Sequence, residues 1–356
     1  MSSRVRNYAN TSTDERAESC NFPTNPVRQP VCAAAQIGCM KTAPLIGYFM
    51  RNGPSGFGYN STAEQVANGL DLTGKTYLIT GVNAGLGYET MRVLASKGAT
   101  IVGLARTVEK ATQAAAKAGV PEGKFYPIAC ELSEPSVVRM AVREVVACRA
   151  GPLDAIIANA AIMALPKRET KHGVELQYLT NHVGHFILVN GIVKQLKPDG
   201  RVVILSSMAE SMAYKKHGIN FDDMTGEKEY SPWGAYGQSK LANLLFAREL
   251  SKRLPEGQVC NSVHPGVAAT ELSRNMDQGP IAKFIFGTLG PMIALKSVGA
   301  CAATQTYLAV HPDAKGITGK YWASCNVSTP SPHGQDDELA ARMWKETEAL
   351  VNSLEE

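Results

Sequence analysis

The sequence has few of the features that mark membrane, nucleic-acid-binding or metal-binding proteins. Its 356 residues contain no run of about 18 uninterrupted apolar residues, the length of a membrane-spanning helix. The net charge is only +4 and no block of Lys and Arg stands out, which argues against nucleic-acid binding. Eight cysteines are scattered along the chain without a C-x-x-C pair or a histidine at zinc spacing. We therefore expect no structural disulfide and no metal, as in a reducing compartment.

Residues 1–60 show neither persistent helical nor persistent strand periodicity, and they are rich in Asn, Ser, Thr, Pro and Arg. No apolar core of a secretory signal peptide follows the start, so export is not expected. Four arginines within residues 4–28 suit a plastid or mitochondrial transit peptide, whereas three acids within residues 14–18 oppose one. Two interpretations stay open: a disordered or loosely docked extension of a cytoplasmic protein, or a targeting segment.

From Leu72 onward, short apolar runs alternate with longer amphipathic ones. The predicted strands are Tyr77–Ile79, Thr100–Ala105, Phe125–Ala129, Leu153–Ala158, Val202–Leu205 and Val259–Val263, with Cys130 and Cys260 inside strands. The predicted helices include Val108–Ala118, one capped by Ser133, and two near 172–196 and 234–254. Apolar strands that alternate with helices indicate a parallel sheet covered on both faces. The prediction for residues 61–356 is one doubly wound α/β (Rossmann) domain of about seven strands.

The segment Lys75–Gly87 joins the first strand to the helix that follows it. Its glycines, Gly81, Gly85 and Gly87, have the spacing G-x-x-x-G-x-G. A strand, a glycine turn and a helix N-terminus in that order form an anion site, because free N–H groups and the helix dipole face the turn. Glycines let the backbone approach a pyrophosphate closely. The segment therefore predicts dinucleotide binding.

The end of the second strand predicts which dinucleotide binds. NAD sites usually carry a carboxylate there for the ribose 2′-hydroxyl. This strand instead ends Gly103-Leu104-Ala105-Arg106, with an arginine and no acid. A guanidinium can make a charge-assisted contact with a 2′-phosphate, so NADP(H) is favoured.

Tyr236 and Lys240 form an i,i+4 pair at the start of a predicted helix, which places a phenol beside an ammonium. The nearby positive charge favours the phenolate and suits Tyr236 to acid–base work. Ser206-Ser207 and Asn159-Ala160-Ala161 end two predicted strands, and Asn181 lies in the next helix. The carboxyl ends of such strands are where this type of sheet binds its ligands.

From about Leu70 to its end, the chain resembles the short-chain dehydrogenase/reductase family. The matching motifs are Thr80–Gly87, Asn159-Ala160-Ala161, Asn181, Ser207, Tyr236 with Lys240, and His264-Pro265-Gly266. Segments 220–223, 230–243, 319–322 and 330–332 are similar to its retinol-dehydrogenase-like and WW-domain-oxidoreductase-like branch.

The resemblance implies a role for each matching residue. Tyr236 would protonate the carbonyl oxygen. Lys240 would bind the nicotinamide ribose, Ser207 would hydrogen-bond the substrate oxygen, and Asn181 would hold a relay water. The implied NADP(H)-binding residues are Gly81, Asn83, Ala84, Gly85, Leu86, Gly87, Arg106, Glu131, Leu132, Asn159, Ala160, Tyr236, Lys240, Pro265, Gly266, Val267 and Thr270. Glu131 departs from the family, which usually has Asp there. A wide gap between Ser207 and Tyr236 indicates an inserted loop.

The function that follows is NADP(H)-dependent interconversion of an apolar aldehyde or ketone, retinoid-like or lipid-derived, and its alcohol. Residues 270–298 would form a substrate lid, with peripheral membrane contact as a further expectation. A homodimer through the helices near 172–196 and 234–254 is also expected. Two alternatives are a relative of light-dependent protochlorophyllide reductase and a cofactor-binding scaffold or redox sensor with little turnover. The four candidate catalytic residues argue against the scaffold, and the absence of cysteine from the insertion before Tyr236 argues against the reductase.

Overall fold

Strands and helices alternate along the chain in a computed structural model that describes residues 52–267 and 296–354. The chain divides into Met1–Ala43, which lies outside the described residues, and Pro44–Glu356, which holds the whole described fold. The predicted lid at 270–298 also lies outside the described residues, except for its last positions.

The described residues form strands and α-helices with the following bounds. The strands are β1 (Thr76–Thr80), β2 (Thr100–Ala105), β3 (Phe125–Ala129), β4 (Leu153–Ala158), β5 (Thr170–Lys171), β6 (Val174–Glu175), β7 (Leu196–Leu205), β8 (Val259–His264), β9 (Tyr321–Ala323) and β10 (Asn326–Ser328). The helices are α1 (Ala63–Val66), α2 (Gly85–Ser96), α3 (Val108–Lys117), α4 (Pro135–Ala147), α5 (Leu176–Tyr178), α6 (Gly184–Ile192), α7 (Pro232–Arg253), α8 (Val298–Val310) and α9 (Asp337–Ser353). A π-helical turn (Leu179–Val183) joins α5 to α6, and short 3₁₀ turns include Met208–Met212.

The central sheet has eight strands in the order β10-β9-β8-β7-β4-β1-β2-β3. All neighbours pair in parallel except β9 and β10, which are antiparallel. The predicted doubly wound α/β fold is confirmed. All residues of β1 are buried, as expected for a central strand with helices on both faces. The strand order reverses between β1 and β4, so the crevice at their carboxyl ends is where a dinucleotide would bind.

Several predicted boundaries were wrong. The start of the predicted 172–196 helix is instead the β5–β6 hairpin, and β7 begins at Leu196 rather than Val202. Glu134, not Ser133, precedes the first turn of α4, because the Ser133 hydroxyl donates to Glu131 instead. Cys130 lies just after β3 rather than inside it.

The packed part of the chain begins before residue 60, where the extension was predicted to end. Asn326 accepts a hydrogen bond from the Ser55 N–H (3.1 Å) and donates one to the Phe57 carbonyl (3.0 Å). The Phe57 ring meets Tyr307 and His311 edge-on, with centroids 5.8 and 5.4 Å apart. Residues 52–60 therefore pack as part of the α/β domain.

Phe57→Ala is expected to lower the free energy of unfolding by about 1–3 kcal/mol, because it removes a partly buried ring from its aromatic contacts. Val327→Ala, at a nearby side chain that is 55% exposed, serves as the matched control and should change stability little. Urea unfolding of the two variants provides the test. Equal stabilities would show that residues 52–60 add nothing to the domain.

The C-terminal helix α9 packs on α6 and α7 through one aromatic cluster. Trp344 lies 4.9 Å from the Phe186 ring and 5.7 Å from the Phe246 ring, centroid to centroid. A homodimer through α6 and α7 stays a prediction, and it would have to use the parts of these helices that α9 leaves uncovered. Within residues 52–267 and 296–354, none of the helices has both the length and the apolar character needed to cross a membrane.

Candidate active site

The glycine turn after β1 is tightly packed against β4. Gly81 has φ of +74°, a conformation that favours glycine. A side chain at Gly87 would place its Cβ 2.6 Å from the Asn159 amide nitrogen. Helix α2 then begins at Gly85, and the Ala84 position before it supplies no side-chain cap. The helix N-terminus is thus left for an anion, which fits a dinucleotide pyrophosphate.

Arg106 lies beside this turn. The Gly81 and Val82 N–H groups both donate to the Leu104 carbonyl, at 2.7 and 3.2 Å, which ties the turn to the end of β2. Arg106 follows β2 directly and is exposed. Asn83 and Ala84 are exposed in the same turn. The backbone two residues before Arg106 is thus bonded directly to the glycine turn.

Thr80 holds the end of β4 against the end of β1. Its hydroxyl oxygen accepts hydrogen bonds from the Asn159 N–H (2.8 Å) and the Ala160 N–H (2.9 Å). The Asn159 side chain donates to the Thr80 carbonyl and accepts from Gln305 on α8. The oxygen and the nitrogen of the Asn159 side-chain amide are therefore both hydrogen-bonded within the protein, where they help to hold the glycine turn.

Asn181 lies in the π-helical turn and is fully buried. Its side chain accepts from the Ile162 N–H and donates to the Ile162 carbonyl, each at 2.8 Å. It also donates to Ser239 on α7 at 3.0 Å. Asn181 thereby joins the segment after β4 to the helix that carries Tyr236. A π-helical insertion is frequent at functional sites.

Tyr236 and Lys240 lie on one face of α7, and both are buried. The Lys240 ammonium is 5.6 Å from the centroid of the Tyr236 ring and donates to the Leu205 carbonyl at 3.1 Å. Leu205 is the last residue of β7, so this bond fixes the cation at the carboxyl end of the sheet. The predicted pairing of a phenol with an ammonium is present in the fold.

Ser207 follows β7 and begins the 3₁₀ turn Met208–Met212, where its hydroxyl accepts from the Ala209 N–H at 3.2 Å. This turn packs directly on the start of α7, since a Cβ at Gly237 would lie 2.6 Å from the Ala209 carbonyl oxygen. Gly237 is the residue after Tyr236. The fold therefore brings the Ser207 turn and Tyr236 to the same place, across the inserted loop.

The residues that follow β8 lie next to the Ser207 turn. The His264 Nδ1 accepts from the Met208 N–H (3.1 Å) and the Gly266 N–H (3.4 Å), which links the Ser207 turn to the Pro265–Val267 segment. Burial, assisted by the charge of Lys296, lowers the pKa of His264 to about 4 and keeps Nδ1 free to accept. Lys296 packs against Gly266 and its N–H donates to the Val267 carbonyl at 3.0 Å. Thr270 lies outside the described residues.

Comparison with known proteins agrees with this geometry. The sequence profile of a family described as short chain dehydrogenase matches residues 75–219. Short-chain dehydrogenase TIC 32 B, chloroplastic, from Brassica napus is 38% identical over 316 residues, which is 85% of this chain and 96% of that protein. The chain belongs to the short-chain dehydrogenase/reductase family.

Its branch is the retinol-dehydrogenase-like one. Human retinol dehydrogenase 13 is 36% identical over 289 residues, covering 79% of this chain and 85% of that protein. A solved structure of an uncharacterised protein from Mycobacterium paratuberculosis is 31% identical, with a TM-score of 0.63, and covers 82% of this chain and 98% of that one. The resemblance inferred from the motifs is confirmed.

In this short-chain dehydrogenase the segment after β3 carries Glu131 and Leu132, which the sequence interpretation assigned to the cofactor. One Glu131 carboxylate oxygen accepts from the Ser133 hydroxyl (3.0 Å) and the Ser133 N–H (3.3 Å). The Leu132 side chain is buried, and its carbonyl packs against Gly184 at the start of α6. The Leu132 side chain belongs to the hydrophobic core, and its contact with a cofactor stays a prediction. Adenine binding by Glu131 stays a prediction.

The sequence interpretation left three supporting side chains out of the site. Thr80 and Gln305 hold the glycine turn, and His185 on α6 lies between Thr80 and Asn181. One signal was available for His185, because an Asn-x-x-x-His spacing places the histidine one helical turn after Asn181. Gln305 gave no such signal, since its partners lie far from it in the sequence.

Proposed function

We propose that the protein is an NADP(H)-dependent oxidoreductase that interconverts an apolar aldehyde or ketone and its alcohol. The observation that carries the proposal is the buried pair of Tyr236 and Lys240 at the carboxyl end of β7, in a sheet whose first strand leads into a helix without a side-chain N-cap. NADPH, when bound, supplies the hydride. The protein's own residues would supply the proton and hold the carbonyl oxygen.

The roles proposed for the side chains follow from their positions. Tyr236 would give its phenolic proton to the carbonyl oxygen, and Ser207 would donate a hydrogen bond to the same oxygen. The buried ammonium of Lys240, fixed by the Leu205 carbonyl, would stabilise the phenolate that forms. Asn181 would keep α7 and the segment after β4 in register through its bonds to Ser239 and Ile162.

An apolar substrate is proposed because apolar side chains border the catalytic residues. Met208 and Met212, on the turn after Ser207, are 57% and 51% exposed. Trp233, at the start of α7, meets the Tyr236 ring edge-on with centroids 6.1 Å apart. Large exposed apolar side chains in one place mark a surface for apolar ligands. The relative named a retinol dehydrogenase suggests retinoid-like substrates.

NADPH consumption with a panel of short, long-chain and retinoid aldehydes tests the proposed function. We expect turnover that increases with the apolar length of the aldehyde. A protein that binds NADPH but reduces none of these aldehydes would contradict the proposal and would favour a cofactor-binding scaffold. Turnover that requires light and a porphyrin would instead favour the reductase alternative.

Arg106→Asp is expected to weaken NADPH binding about 10- to 100-fold and to leave NADH binding nearly unchanged, because it replaces a cation with an anion beside the glycine turn. Fluorescence titration with both cofactors measures the effect. Arg149→Asp makes the same charge change at an exposed position between α4 and β4 and should leave both affinities unchanged. An unaltered ratio of the two affinities in Arg106→Asp would exclude Arg106 as the 2′-phosphate ligand.

A plastid location is proposed over the cytoplasmic one. The Brassica napus relative is named chloroplastic, and residues 1–60 carry the arginines that suit a transit peptide. Fusion of residues 1–60 to a fluorescent protein is expected to direct it to plastids in leaf cells. A fusion that stays in the cytosol would contradict this location. Peripheral membrane contact through the segment at 270–298 stays a prediction.

A further inference from the structure

One buried side chain, His185 on α6, connects Thr80, at the end of β1, to Asn181. Its Nε2 lies 2.9 Å from the Thr80 hydroxyl oxygen, and its Nδ1 lies 2.9 Å from the Asn181 carbonyl oxygen. His185 is completely buried. The imidazole ring is thus the direct bridge between the end of β1 and the π-helical turn.

The direction of these hydrogen bonds follows from the partners of Thr80. Its hydroxyl oxygen already accepts from the Asn159 and Ala160 N–H groups, which occupies both lone pairs. The hydroxyl proton must therefore point to the His185 Nε2, which accepts it. The ring proton is then on Nδ1, where it donates to the Asn181 carbonyl.

The neutral form of His185 is required by this arrangement, because a proton on Nε2 would face the Thr80 hydroxyl donor. Burial lowers the pKa of His185 to about 4, and the charge of Lys240 acts in the same direction. The histidine therefore stays neutral at physiological pH and keeps a single tautomer.

We propose that His185 is a positioning residue that sets the distance between two parts of the site. Through Thr80 it fixes Asn159 and Ala160, which we expect to contact the cofactor and call the cofactor segment, relative to the Asn181 carbonyl. The cofactor segment and Asn181 belong to different elements, and one rigid ring sets their separation. The part of this inference that concerns turnover rests on the proposed function, since it assumes that Asn181, through its bond to Ser239, keeps Tyr236 in place for proton transfer.

Two substitutions, each of which can retain the hydrogen bond of one ring nitrogen, test the two ends of the bridge separately. His185→Asn can keep a donor for the Asn181 carbonyl but loses the acceptor for Thr80, so we expect NADPH binding about tenfold weaker with a smaller fall in kcat. His185→Gln can keep an acceptor for Thr80 but loses the Nδ1 donor, so we expect the reverse pattern. A role confined to packing would lower the melting temperature of both variants and leave kcat and Kd of the folded protein unchanged.

A double-mutant cycle tests the bond between His185 and Thr80. The loss of NADPH affinity in the double variant should be smaller than the sum of the losses in Thr80→Val and in His185→Phe, because the bond between the two side chains is lost in each single variant and counted twice in the sum. Thr80→Ser should bind NADPH like wild type, and Thr306→Val, at a buried hydroxyl on α8 that donates to the Ala302 carbonyl of the same helix, is the matched control. Additive losses would overturn the proposal.

Imidazole ¹⁵N chemical shifts provide a readout that needs neither cofactor nor turnover. We expect His185 to show a protonated Nδ1 and an unprotonated Nε2 near neutral pH, and the opposite tautomer would overturn the proposal. Because the shifts and the NADPH titrations do not depend on catalysis, they judge the bridge even if the protein reduces no aldehyde, in which case only the proposed function fails.

Discussion

Tyr236→Phe is expected to lower kcat for aldehyde reduction by about 10²- to 10⁴-fold and to leave the Kd for NADPH close to the wild-type value. The phenolic proton is needed only as charge develops on the substrate oxygen, so its loss acts on the transition state rather than on the bound cofactor. The Phe ring keeps the edge-on contact with Trp233 and the burial of the site. Single-turnover rates and a fluorescence titration with NADPH measure the two effects separately.

Tyr126→Phe provides the matched control for Tyr236→Phe. It removes a phenolic oxygen from a partly buried tyrosine of β3, away from the Ser207 turn and α7. Its kcat and Kd should equal those of wild type. A fall in kcat for Tyr236→Phe of less than tenfold would assign the proton transfer to another group.

Lys240→Met is expected to lower kcat by about 10²- to 10⁴-fold and also to weaken NADPH binding about tenfold. Methionine retains the apolar length of the lysine but removes the ammonium that lies 5.6 Å from the Tyr236 ring centroid. It also removes one of the two side-chain donors to the Leu205 carbonyl, and the other donor, Asn243 at 3.0 Å, remains. The double effect separates Lys240 from Tyr236, whose substitution should act on kcat alone.

Lys252→Met is the matched control on the same helix. Lys252 lies in the last turn of α7, where it forms half-exposed ion pairs with Glu249 and Asp337. Such pairs stabilise a protein by about 0–1 kcal/mol, so kcat and the Kd for NADPH should be unaffected. If Lys240→Met lowers kcat no more than Lys252→Met does, the ammonium has no part in catalysis.

The sequence was sufficient for the sheet and for the residues that stand at strand ends. Continuous apolar runs such as Leu153–Ala158 form buried parallel strands because both of their faces are covered, and the polar residues that follow them meet at one edge. Gly81, Gly87, Ser207 and the Tyr236–Lys240 pair were predicted from local patterns, because turn, strand end and helical spacing are local properties.

Features that depend on distant contacts were not predictable from local patterns. Residues 52–60 lack periodicity, and they pack on the domain through contacts with Asn326 and Tyr307, which lie far away in the sequence. Strand β9 is only three residues long and is defined by pairing with β8 and β10. The Thr80–His185 bond joins two residues separated by 105 positions, and neither one signals the other in the sequence.

The most direct test of the central claim is the fate of the hydride. Reduction of an apolar aldehyde with NADPH that carries deuterium at one of its two C4 positions should give an alcohol with one deuterium on the former carbonyl carbon, for one of the two labelled cofactors. Tyr236→Phe should give little of this product, and NADH should be a poorer donor than NADPH. Reduction without transfer of deuterium from either labelled cofactor would contradict the proposed function.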